Sequence, residues 1–97
     1  MGNQVFLEQI VGPKISEAIA SALGDNRPNE AVVKATVQEP VKELVNMLGG
    51  PSVAAWYKFF GNKDECVHLP DGTKYFIADM EYEENGTFGV QLRKRQY

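Results

Sequence analysis

Cysteine and histidine are nearly missing from this chain, with Cys66 and His68 the only examples among its 97 residues. A single cysteine excludes an internal disulfide and is the usage expected in a reducing compartment. A zinc site needs about four ligands, or three plus water when catalytic. Cys66 and His68 share a strand face with Asp64, and no second Cys or His exists to complete a set. A Cys–His nucleophilic pair fares no better, since residues i and i+2 on a strand sit ~6.6 Å apart at Cα and catalysis needs them in contact. No metal, no cofactor and no enzymatic activity are therefore expected.

Long apolar runs are also missing. None approaches the ~20 residues of a membrane-spanning helix. Residues 1–6 lack the basic start and apolar stretch of a secretory signal, and Phe6 stands where myristoylation of Gly2 would want Ser or Thr. The expectation is a cytoplasmic protein with no membrane partner. Excess positive charge is absent as well. Ten Lys and Arg face 13 Asp and Glu, a net charge of −3, which gives no general pull toward nucleic acid or anionic lipid. Gly49-Gly50-Pro51-Ser52 lacks the Lys and spacing of a phosphate-binding loop and reads as a helix stop followed by a new cap.

What is present is the composition of one globular domain: 43% apolar and 24% charged residues. The expected fold class is α+β, a single domain over 1–97. Two to three N-terminal helices (1–60) pack on one face of a three- or four-stranded antiparallel β-meander (61–97).

In the helical half, residues 4–11 read as a short helix interrupted by Gly12-Pro13. A second helical stretch, 13–23, carries Ile15, Ile19, Ala22 and Leu23 on one face and stops at Gly24. Asn29 can cap the next helix. Val33, Val37, Val41, Leu44, Val45 and Leu48 keep helical phase through Pro40, which favours one helix kinked there. The competing reading is a strand over 31–37, rich in β-branched residues, with Pro40 opening a separate helix, 40–48. Residues 53–60 read as a third short helix capped by Ser52, with a strand over 56–60 as the competing reading because aromatics favour sheets.

The second half carries two turns of like chemistry, Pro70-Asp71-Gly72-Thr73 and Glu84-Asn85-Gly86-Thr87. Each suits a three-residue hairpin loop with a bulge, giving strands near 65–69, 73–83 and 87–94. Register follows from what each choice buries. With Glu83 opposite Thr87, one face collects Cys66, Phe76, Ala78, Met80, Tyr82, Phe88, Val90 and Leu92. The other collects Asp79, Glu81, Glu83, Gln91, Arg93 and Arg95, placing Arg93 beside Asp79 and Glu81. Strict alternation also puts Val67, Leu69, Tyr75 and Ile77 on that second face, where either the Trp56 segment or the N-terminal helix covers them or they form an exposed apolar patch.

An apolar centre with a charged rim is the anatomy of a binding patch. The expected partner-binding residues are thus Val67, Leu69, Tyr75, Ile77, Asp79, Glu81 and Glu83. The corresponding function is a small non-enzymatic protein-binding module, a regulator, adaptor or assembly factor of the kind phages and mobile elements carry. Its partner would be another protein or a second copy in a homodimer. The alternative is a nucleic-acid-binding protein using Arg93, Lys94 and Arg95 beside Tyr97. A third reading is a small enzyme using Cys66 or the carboxylates. The carboxylates Asp79, Glu81, Glu83 and Glu84 are read as a solvated acidic edge.

Overall fold

The computed structural model describes residues 7–58, 67–83 and 85–95. Among the described residues, three α-helices accompany a four-stranded antiparallel sheet, so the α+β class is as expected. A π turn, Leu7–Val11, leads without a break into α1, Gly12–Leu23. The expected interruption does not occur: Pro13 lies where the π turn passes into α1, and the helical path continues through it. Gly12 has a separate reason to lack a side chain. A Cβ there would stand 2.9 Å from the carbonyl oxygen of Leu7 and meet the ring of Trp56. The buried stripe running from the π turn through α1 is Val11, Ile15, Ile19 and Leu23, every fourth residue. Ala22, expected on that stripe, is exposed.

The single kinked helix expected through Pro40 is wrong. Glu30–Thr36 form strand β1, and Pro40 opens α2, Glu39–Met47, in its first turn. Inside a helix Pro40 would have lost a hydrogen bond and struck the carbonyl of Thr36. The misleading spacing has a simple origin. Val33 and Val37 are four apart, which fits one turn of helix and equally two steps along a strand. Ala31, Val33 and Ala35 point inward and Val32 and Lys34 outward, so the period is two. Asn29 caps nothing, and its carbonyl accepts from the Lys94 amide instead.

Helix α3, Pro51–Trp56, begins after Gly50, and no side chain caps it. A helix in this stretch was expected; its cap was not Ser52, and residues 59–60 lie outside the described set. Strands β2, Val67–His68, β3, Lys74–Glu83, and β4, Thr87–Lys94, form the meander. The order across the sheet is β1-β4-β3-β2. In the first hairpin, Gly72 has φ 91° and donates its N–H to Leu69, while the Asp71 carboxylate accepts from the Thr73 amide. The second repeats the device with Gly86 at φ 89° and the Asn85 side chain accepting from Thr87.

Glu83 stands opposite Thr87 and Tyr82 opposite Phe88, the expected register. It holds back to Asp79 and fails at Ala78, within the same strand. Ile77 pairs with Leu92, yet Asp79 pairs with Gln91, so Ala78 is an extra residue, a β-bulge. The bulge inverts the alternation beyond it. Tyr75 and Ile77 therefore face the helices with Met80, Tyr82, Phe88, Val90 and Leu92, and Phe76 and Ala78 leave the apolar side where they were expected.

Candidate functional site

Val67, Leu69, Tyr75 and Ile77 do not form a surface patch. They are 0 to 4% exposed and belong to the one core formed by the three described helices and the sheet. Val67 lies opposite Tyr75 across β2 and β3. The Tyr75 hydroxyl donates to the carbonyl of Pro28 at 2.7 Å, tying β3 to the segment before β1. Burial raises its phenol pKa above the ordinary 10.0, which keeps the hydroxyl a donor. The expected apolar centre of a binding patch is thus a second part of the core, turned inward by the bulge at Ala78.

The charged residues expected around that patch lie on the opposite side of the sheet. Glu81 and Glu83 are exposed, the latter 3.9 Å from Lys34 on β1. Asp79 accepts from Lys58 Nζ at 3.1 Å. That bond, followed by one from the Met80 amide, holds the Asp79 carboxyl below its ordinary pKa. At the β2–β3 turn, the Thr73 amide lowers Asp71 in the same way, followed by the Thr73 hydroxyl and Arg27. A carboxylate depressed in the folded state contributes stability above its unfolded pKa and loses it as pH falls through the folded value. Unfolding midpoints measured by circular dichroism should therefore decline as pH drops below the ordinary carboxyl value of 3.8. The double variant Asp71→Asn with Asp79→Asn should show a flatter acid limb.

The basic cluster is dispersed. Arg93 lies opposite Phe76 and 3.9 Å from Glu30, not beside Asp79 and Glu81 as expected, because the bulge shifts its partner. Lys94 Nζ donates to the carbonyl of Arg27. Arg95 sits over the Phe76 ring, 5.8 Å from its centroid, covering the face on which a base would stack. His68 is exposed on β2 and lies opposite Lys74. Cys66, Asp64, Glu84 and Tyr97 lie outside the described residues. Among the described residues, no three His, Cys, Asp or Glu side chains converge as a metal site. No described helix is long and apolar enough to cross a membrane.

The surface that sequence reasoning missed is the outer edge of β1. At the two ends of the β1–β4 ladder, the Lys94 amide donates to Asn29 at 2.7 Å and the Val37 amide to Gly86 at 3.1 Å. Antiparallel pairs alternate between bonded and non-bonded. Asn29, Ala31, Val33, Ala35 and Val37 therefore turn their backbone groups to β4. Glu30, Val32, Lys34 and Thr36 turn theirs away from the sheet, and no described backbone group bonds to them there. Val32, in the middle of this edge, is 79% exposed. Comparison with known protein families, curated proteins and solved structures finds no match. The site must therefore be read from this geometry. Its one sequence signal was the alternation of residues 30–36, which identifies a strand but not which side of it is left bare.

Proposed function

We propose that this protein is a non-enzymatic protein-binding module that receives an extended segment of its partner along the free edge of β1. The observation that carries the reading is the outward row of backbone donors and acceptors from Glu30 to Thr36 with Val32 exposed at its centre. An edge of this kind offers main-chain hydrogen bonds to an added strand, while alternate side chains supply selectivity. The edge is flanked on the helix side by a shallow depression lined by Leu23, Asn26, Pro28, Ala31 and Val33. An inward side chain of the added strand would enter it.

Val32→Pro tests the edge without disturbing the sheet. The Val32 amide points away from β4, so proline there removes a donor from the free edge and none from the ladder. The variant should keep its circular dichroism spectrum and cooperative melt. Tagged wild-type protein and tagged variant would be compared in pull-downs from native-host lysate with mass spectrometry, with Glu81→Gln as a control. A protein retained by the wild type and by Glu81→Gln, and lost with Val32→Pro, supports the reading. Equal retention by all three contradicts it.

A further inference from the structure

We infer that the occupant of the β1 edge is the β1 edge of a second copy of this chain, paired antiparallel about a two-fold axis through Val32. The inference rests on the edge-binding reading and deepens it by naming the partner and the register.

Backbone geometry restricts the choices. A strand added to this edge can form bonded pairs only with Glu30, Val32, Lys34 and Thr36, whose N–H and C=O groups point outward. A symmetric pair must therefore bring these residues opposite one another in the two copies. With the axis through Val32, Val32 faces its own equivalent. Glu30 then faces Lys34 of the second copy, and Lys34 faces Glu30. Moving the axis to Lys34 would set lysine against lysine. Moving it to Val33 would set Lys34 against Val32 and Glu30 against Thr36, so neither charge meets its opposite. Opposite charges directly across an antiparallel pair stabilise it, and like charges destabilise it. Charge thus selects the Val32 axis.

The side chains fit that register on both faces. On the outer face an exposed Val32 pair lies between two Glu–Lys pairs. The monomer leaves these groups available: the Glu30 and Lys34 side chains are 78% and 75% exposed, and their contacts within the chain, to Arg93 and Glu83, are both long at 3.9 Å. On the inner face, half-buried Ala31 meets half-buried Val33 of the second copy, closing the apolar depression beside Leu23. Charges on an edge strand commonly discourage such pairing. Here their spacing makes the strand complementary to itself, and the result is a continuous eight-stranded sheet. The contact is short, so association should be weak and concentration-dependent.

Sedimentation velocity across a dilution series decides the matter, with four proteins compared. The wild type should shift from monomer to dimer as concentration rises. Lys34→Glu sets like charges opposite one another twice, through the symmetry, and should weaken the dimer by about tenfold or more. Adding Glu30→Lys to that variant restores both opposite-charge pairs and should restore the dimer. Val32→Pro should be monomeric. A wild type that stays monomeric at high concentration overturns the inference. So does a dimer indifferent to Lys34→Glu, or one that the double charge swap fails to rescue. A monomeric wild type that still retains a lysate protein through the Val32 edge refutes the self-pairing alone and leaves the edge-binding reading intact. Loss of both refutes the two together.

Discussion

Tyr75→Ala and Ile77→Ser should each destabilise the fold severely and should not act as local surface changes. Tyr75 is fully buried and Ile77 1% exposed. Truncating Tyr75 removes an aromatic side chain from the packed interior and leaves the Pro28 carbonyl without its 2.7 Å donor. Large-to-small core changes of this size cost about 3–5 kcal/mol. Ile77→Ser combines a cavity with a buried hydroxyl, and Leu92, its cross-strand neighbour, loses its packing partner. Total stability of a domain this size is about 5–15 kcal/mol, so either change removes a large share. Each kilocalorie lowers the melting temperature of such a domain by about 4–8 °C. Thermal unfolding followed by circular dichroism should show a fall of 10 °C or more, on the order of that conversion. An unchanged melt would contradict the inward placement of β3 before the bulge.

Deletions around the bulge should give opposite results for two neighbouring residues. Removing one residue from a strand ordinarily turns every side chain beyond it to the wrong face. Ala78 is the exception. Ile77 already opposes Leu92 and Asp79 already opposes Gln91, so without Ala78 the ladder runs regularly and the inward set is preserved. Deletion of Ala78 should leave a protein that unfolds cooperatively. Deletion of Glu81 has no such outlet. Either Tyr82 leaves its place against Phe88, or the bulge straightens and Asp79 moves into the core opposite Val90. A carboxylate buried without its partner costs about 3 kcal/mol or more. Near-ultraviolet circular dichroism and urea unfolding would separate the two variants. Equal loss of structure in both would argue that the twist at Ala78 is itself required.

The difference between those deletions also explains what the sequence could disclose. Strand β4 and the lower half of β3 were legible because Phe88, Val90, Leu92, Met80 and Tyr82 keep an uninterrupted period of two. Both turns were legible because Asp71-Gly72 and Asn85-Gly86 carry their own chemistry. The bulge was hidden, since alanine has no preference that marks one. Its only trace was the three-residue step from Ile77 to Met80 in the apolar pattern, where a regular strand allows two or four. That trace appeared instead as a supposed apolar patch, and the expected partner site followed it to the wrong face. Strand β1 was legible as a competing possibility only. Its edge could not be read at all, because no local pattern says that β4 will take one side of it and leave the other bare.

The position of β1 also imposes an order on assembly. Thr36 meets Thr87 across 51 residues of chain, whereas β3 and β4 are joined by a tight turn. Local pairings form before distant ones because loop closure must be offset first. Strand β1 precedes its neighbour β4 by half the chain, so the β3–β4 hairpin is expected to close before β1 docks. Until it docks, β4 itself is an unguarded margin, carrying Phe88, Val90 and Leu92. If hairpin closure comes first, the stage before β1 docks leaves that apolar margin open to misassembly.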